Sequence, residues 1–232
     1  MKFWFLLLGL GIGAATAHAA LPDFQAYPAS GERLLLWTGA ERGLAEPELA
    51  AMRKLAGQGV GVWALDPAGA YFLPQLPSSL DAVPTRDMVD WLGAALASGK
   101  QVTVYAVGRA AVPVLRATAQ LDAAQRSRLC VMLMYPNLYA SAEALADADY
   151  LETGRLDGLR IRVLQPRRSA ATPWLPGLLD HLTLQGATVS HTMLENLREA
   201  FWARETPTDY ETAESGRLDT MLLHEMNAEG CK

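Results

Sequence analysis

The sequence predicts an α/β fold with a mainly parallel sheet of about six strands. Short β-branched or apolar runs alternate with amphipathic segments of roughly ten to fifteen residues, and turn residues separate them. This alternation is typical of βαβ units, whose parallel sheet is covered by helices on both faces. Residues 102–107 are apolar on both faces, so we expect them to form a central strand.

Residues 1–19 have the features of a signal peptide. Lys2 precedes an apolar run over residues 3–12, and Ala17-His18-Ala19 fits the small-x-small cleavage rule. The alternative, a transmembrane anchor, would need about 20 apolar residues, which is longer than this run. We therefore predict a mature chain that is periplasmic or secreted and has no membrane span.

Residues 20–232 are predicted to form one domain with polar helices near residues 194–204 and 210–226. The chain has 20 basic and 25 acidic residues. This excess of acidic residues gives no sign of the basic surface that binds nucleic acid. His181, His191 and His224 do not share metal-ligand spacing. We therefore predict no nucleic-acid partner and no metal, and we expect no cofactor.

The chain contains two cysteines, although export would place it in an oxidising compartment. Cys130 lies in an apolar run that predicts a core strand, whereas Cys231 is next to last in a tail that we expect to fray. The favoured interpretation is one buried thiol and one loose thiol. A disulfide is the alternative, and it would require the fold to bring the tail onto a core strand.

Four segments resemble the α/β-hydrolase superfamily, over most of residues 33–191. They are Trp37-Thr38-Gly39-Ala40, Leu65-Asp66-Pro67-Ala68-Gly69, Val107-Gly108-Arg109-Ala110 and Val163-Leu164-Gln165. The third follows a strand and precedes a helix, which is similar to the family's nucleophile elbow. The resemblance implies a three-layer fold. Residues 138–157 are too few for an inserted lid, so no lid domain is expected.

The sequence departs from the family's catalytic pattern. No G-x-S-x-G motif is present. The favoured register of the elbow places Ala110 at the nucleophile position, and a register two residues earlier places Gly108 there. The acid position after the fifth strand, residues 165–169, has neither Asp nor Glu, and His191 falls near the histidine position. Because losing the nucleophile alone removes nearly all triad-dependent rate, we predict a divergent member without the triad.

The leading functional hypothesis is therefore a non-catalytic pseudo-hydrolase that acts as a binding or accessory protein in the periplasm. The alternative is an active esterase-type hydrolase with an unorthodox site that uses Ser78, Ser79 or Ser169. A third hypothesis is a structural subunit whose C-terminal helices dock onto a larger assembly.

Binding is predicted at the carboxyl edge of the sheet, around Thr38, Tyr71 and Arg109. The loops that follow the first three strands converge there. Arg109 at a helix N-terminus would attract a carboxylate, so the expected partner is a small acidic ligand or a periplasmic protein with an acidic loop. The structural alternatives are a packed loop around Tyr71 and an Arg109 that reaches solvent or pairs with Asp66 or Asp149.

Overall fold

The computed structural model describes residues 21–143 and 146–231. The predicted signal peptide lies outside these residues. The strands are β1 (Gln25–Tyr27), β2 (Arg33–Thr38), β3 (Val60–Leu65), β4 (Gln101–Val107), β5 (Leu129–Met134), β6 (Tyr139–Ser141), β7 (Asp149–Tyr150), β8 (Arg160–Pro166) and β9 (Thr188–Leu194). The α-helices are α1 (Glu46–Gly57), α2 (Pro67–Ala70), α3 (Thr85–Ala97), α4 (Ala111–Gln120), α5 (Ala123–Ser127), α6 (Leu175–Leu184), α7 (Asp209–Ser215) and α8 (Leu218–Met226). Across the described ranges, no helix combines the length and apolar character needed to cross a bilayer.

The central sheet has seven strands in the order β1-β3-β2-β4-β5-β8-β9. All its neighbouring pairs are parallel except β1 and β3, which are antiparallel. This confirms the predicted α/β class and the mainly parallel sheet. The sheet has one strand more than expected. The additional strand is β1, which lies at one edge; its three residues are too few and too polar to predict a strand.

The predicted elbow strand is central, as expected: β4 pairs with β2 on one side and β5 on the other. Its side chains alternate between two cores. Val104 and Ala106 join the core beneath α3, α4 and α6, whereas Tyr105 and Val107 join the core beneath α1 and α8. Burial on both faces explains why this strand is apolar at nearly every position.

The strand order creates a crevice between β2 and β4. The chain leaves β2 toward α1 on one face of the sheet, and it leaves β4 toward α4 on the other face. Loops that depart in opposite directions from adjacent parallel strands leave an opening at their carboxyl ends, where open α/β sheets bind ligands. The fold therefore positions a site at this edge.

The C-terminal region differs from the prediction. Residues 194–204 are not a helix: β9 ends at Leu194, and only a short 3₁₀ turn forms at Phe201–Ala203. Asn196 and Ala200 have φ values of 61° and 48°, which a helix cannot contain. Phe201 and Trp202 are buried. The packing of these apolar side chains, and not a local helical pattern, therefore determines the conformation of the segment.

The two cysteines form a disulfide, so the interpretation of one buried and one loose thiol is wrong. Cys130 in β5 bonds Cys231, with Cα atoms 5.1 Å apart. The tail reaches the core because Leu218, Leu222 and Met226 of α8 are buried, which carries the C-terminal turn onto the sheet. A bridge across 101 residues of sequence restricts the unfolded chain and contributes about 4.7 kcal/mol to stability in the chain-entropy account.

Candidate functional site

The turn after β4 is built on Gly108, whose φ is 57°. Ala110 has an ordinary helical φ of −60° and leads directly into α4. The turn residue is thus Gly108, which corrects the favoured register that placed Ala110 at the nucleophile position. Ala106 and Ala110 lie two residues to either side, where an elbow needs small side chains. The elbow therefore offers backbone groups and space at its apex, and no side chain.

Two adjoining cavities open at the carboxyl edge of the sheet. The first has a volume of about 360 Å³ and includes Gly108 and Arg109 in its lining. The second has a volume of about 490 Å³ and extends toward the loop after β2. Glu41, Tyr135 and Glu199 line both cavities. These residues follow β2, β5 and β9, so the crevice gathers groups that are far apart in sequence.

Glu199 is one of the two carboxylates, with Glu41, that line both cavities. The hydroxyl of Ser169 donates a hydrogen bond to Glu199 Oε1, and it accepts one from the backbone N–H of Ala171 at 3.0 Å. Ser169 is buried and Glu199 is half-buried. Glu199 lies after the last strand, in the segment where the superfamily resemblance implied a histidine. Sequence reasoning missed it because its polar surroundings are typical of a solvated helix.

A buried carboxyl group borders the second cavity. Glu48 of α1 is 3% exposed. Trp37 Nε1 donates to Glu48 Oε1 at 3.2 Å, and the Ala45 N–H donates to Oε2 at 2.8 Å. Burial raises the pKa of Glu48, and these two hydrogen bonds oppose that rise. Burial, with the nearby Glu48, also raises the pKa values of the Tyr105 and Tyr135 hydroxyls well above their ordinary range.

Of the three residues predicted for binding, Arg109 alone lines the cavities. Thr38 is fully buried, and its Oγ1 has no hydrogen-bond partner among the described residues. The Tyr71 hydroxyl donates to Asp87 Oδ2 in α3 at 3.0 Å. The structure brings Tyr71 and Thr38 to the same edge without placing them in either cavity lining. Their role in binding stays a prediction.

Each nitrogen of the Arg109 guanidinium donates a hydrogen bond within the protein. Its Nε and Nη2 donate to the two carboxylate oxygens of Asp81 at 2.7 and 2.6 Å. Its Nη1 donates to the Tyr139 carbonyl at 2.7 Å. The acidic partner is thus Asp81, and neither Asp66 nor Asp149. The bidentate pair balances the charge of Arg109 and fixes the turn at Pro77–Ala82 beside the elbow.

The serines named in the alternative hypothesis lie in different surroundings. Ser78 is exposed, and the Ser79 hydroxyl donates to the carbonyls of Pro74 and Leu76 within its own turn. Ser169 alone of the three contacts a carboxylate that lines the cavities. Residues 21–143 and 146–231 contain no group of three or more His, Cys, Asp or Glu side chains that could hold a metal ion.

No protein-family model and no curated protein matches this sequence. Solved structures do match. A Klebsiella pneumoniae protein with the provisional name dienelactone hydrolase aligns at a TM-score of 0.59 and 13% identity, over 88% of this chain and 93% of that one. The Pyrobaculum calidifontis esterase aligns at 0.57 and 13%, over 88% and 83%. Apo Thermogutta terrifontis esterase 2 aligns at 0.54 and 15%, over 88% and 89%.

These matches show that the chain has the α/β-hydrolase fold. They also correct the leading functional hypothesis. The structures that share the fold are named as esterases and as a dienelactone hydrolase, so the likeness favours an active hydrolase over a non-catalytic binding or accessory protein. Fold is what identities of 13% and 15% establish; the activity of this chain has to be argued from its own residues.

The turn at Gly108 generates a stability prediction. We expect Gly108→Ala to lower the free energy of unfolding by about 1–2 kcal/mol, because L-residues are strained at positive φ. The new Cβ would also lie 3.3 Å from the Tyr135 ring. The control is Gly93→Ala in α3, where no atom lies within 4 Å of the new Cβ, and it should raise stability by about 0.5–1 kcal/mol. Urea unfolding measures both, and equal effects would contradict the assigned turn.

The buried Glu48 generates a pH prediction. Its raised folded-state pKa means that the native protein holds more protons than the unfolded chain above the ordinary value of 4.5. The free energy of unfolding should therefore fall as pH rises from there through the folded-state pKa. Glu48→Gln cannot ionise and should lose that slope, whereas the exposed Glu46→Gln on the same helix should keep it. Urea titrations between about pH 5 and about pH 8 test this, and parallel profiles for all three proteins would refute it.

Proposed function

We propose that this protein is an esterase-type hydrolase in which the Glu199 carboxylate activates water as the nucleophile. The observation that carries the proposal is the position of Glu199, which lines both cavities at the carboxyl edge and is held by the Ser169 hydroxyl. The likeness to named esterases supports the reaction class. Because Gly108 lacks a side chain and residues 165–169 lack an acid, we propose that no Ser-His-acid triad operates.

The geometry suits a general base. One oxygen of Glu199 accepts the Ser169 hydrogen bond, which fixes the carboxylate and leaves the other oxygen to accept a proton from water. As that proton moves to Glu199, the water oxygen attacks the ester carbonyl carbon and a tetrahedral oxyanion forms. Collapse of the intermediate breaks the bond to the alkoxy oxygen, and the proton returns from Glu199 to the departing alkoxide. The products are a carboxylic acid and an alcohol, and Glu199 is again a carboxylate.

The elbow backbone would stabilise the oxyanion. Arg109 and Ala110 belong to the first turn of the helical segment that leads into α4, where N–H groups have no acceptor within the helix. Aligned N–H groups at such a place stabilise developing negative charge. The absent side chain at Gly108 would leave room for the attacking water. Asp81 and Tyr139 contribute by anchoring the Arg109 side chain, which holds this turn in place.

The sequence supports two further parts of the proposal. The features of residues 1–19 favour export, so we place the reaction in the periplasm or outside the cell. The mature chain, residues 20–232, would act as a single domain. The Cys130–Cys231 disulfide is consistent with that location, because disulfides persist in oxidising compartments.

Glu199→Gln tests the proposed base. With p-nitrophenyl acetate as substrate, we expect this variant to lower kcat/KM by about 10²–10⁴-fold, the usual contribution of a positioned base. Ser169→Ala should cause a smaller loss, because it frees the carboxylate without removing it. The control is Glu195→Gln, on the same segment but exposed and paired with Arg167, which should keep wild-type activity.

Two results would contradict the proposal. Purified mature protein that does not exceed the uncatalysed rate would refute the esterase activity. An active wild type with an equally active Glu199→Gln variant would refute the role of the base. Thermal unfolding of each variant shows whether a loss of rate reflects a loss of fold.

A further inference from the structure

We infer that the first cavity binds a cationic group, so that the preferred substrates are esters bearing an alkylammonium group close to the scissile bond. This inference deepens the proposed function and rests on it for the chemistry. The binding of the cation itself rests on the walls of the cavity and on their charge.

The first cavity has aromatic walls. Tyr135, Tyr139 and Trp174 all line it. The rings of Tyr139 and Trp174 have their centroids 6.1 Å apart at an interplanar angle of 57°, so they present differently directed surfaces. Trp174 is further fixed by the hydrogen bond that its Nε1 donates to the Ala146 carbonyl at 2.9 Å. Aromatic faces attract alkylammonium groups through the ring quadrupole, and tryptophan does so best.

The charge of the lining is negative. Glu41 and Glu199 both line the first cavity. Within the described part of the chain, Glu41 forms no salt bridge and no side-chain hydrogen bond, and Glu199 is held by a neutral hydroxyl. Arg109 is the cationic residue of the lining, and Asp81 balances it through two hydrogen bonds. A ligand in this cavity therefore meets two carboxylates without a compensating positive charge.

The surroundings of Tyr135 are also consistent with a negatively charged cavity. Burial raises the pKa of its hydroxyl, and the nearby carboxylates Glu48, Glu41 and Glu199 raise it further. The negative charge of those three groups makes ionisation of the Tyr135 hydroxyl less favourable, and it favours a bound cation for the same reason. The exposed arginines of the region, Arg42 and Arg204, line the second cavity and not the first.

This assignment reverses the ligand charge expected from sequence. The expected acidic ligand depended on an available guanidinium at Arg109. All three nitrogens of that side chain donate to Asp81, Asn137 or Tyr139, so binding a carboxylate would require breaking a bidentate ion pair. A volume of about 360 Å³ lies within the range of small-molecule sites.

A pair of matched esters tests the inference. Acetylcholine and 3,3-dimethylbutyl acetate have nearly the same shape and differ in the charge of one atom. We expect the wild type to show a kcat/KM at least about tenfold higher for the cationic ester at equal ionic strength. Glu41→Gln should lower this ratio about tenfold, and Trp174→Leu should lower it as well, because each removes one attraction for the cation. The control, Glu46→Gln, alters an exposed carboxylate on α1 and should leave the ratio unchanged.

Binding of choline by isothermal titration calorimetry separates this inference from the proposed function. Choline binding that Glu41→Gln weakens supports the cation site even if neither ester is hydrolysed, an outcome that would refute only the esterase activity. Hydrolysis of both esters at equal rates, with no choline binding, would overturn the cation site and leave the esterase proposal intact. A preference for the neutral ester would overturn the cation site as well. Circular dichroism shows whether the Trp174→Leu variant folds. If that variant does not fold, the Glu41→Gln variant still tests the inference.

Discussion

The turn at Gly108 sets the geometry on which the rest of the site depends. Its positive φ lets the chain leave the most central strand and start α4 within one turn. The Gly108 carbonyl accepts a hydrogen bond from the Asn137 N–H at 3.0 Å, which ties the elbow to the segment after β5. Tyr135 then packs against the open side of the glycine. A larger residue at this position would push the aromatic wall away from the elbow.

The charged groups around this turn are of two kinds: those paired with an opposite charge and those without such a partner among the described residues. Arg109 and Asp81 form a partly buried ion pair in which the two charges balance, and the pair fixes neighbouring loops. Removing one partner of such a pair would leave an uncompensated charge, so the pair is better suited to structure than to ligand exchange. Among residues 21–143 and 146–231, Glu41 and Glu199 have no cationic partner, and they line the same cavities. The groups left available for chemistry are therefore carboxylates.

Sequence patterns predicted the parts of the fold that depend on neighbouring residues. The apolar run of β4 and the alternation of strands and helices are local properties, and they placed the central strand and the parallel sheet correctly. The short β1 gave no comparable signal. The register of the elbow could not be decided by composition, because both Gly108 and Ala110 are small. The backbone φ of Gly108 decides it.

The candidate site could not be predicted from sequence, because its groups come from loops that are far apart along the chain. Ser169 and Glu199 are separated by 30 residues and approach only because β8 and β9 are adjacent and parallel. Arg109 was identified from its place after the turn, but its charge balance depends on Asp81 in a preceding loop. The disulfide likewise depends on how α8 packs, which no pattern around Cys231 indicates.

The central claim is that water, activated by Glu199, attacks the ester directly. The most direct test is the intact mass of the purified protein, quenched by acid during steady-state turnover of p-nitrophenyl acetate. A direct attack by water forms no covalent intermediate, so the account predicts the unmodified mass throughout turnover. An acetylated species that accumulates during turnover and maps to Ser169, or to another serine, would contradict it and would make that serine the nucleophile.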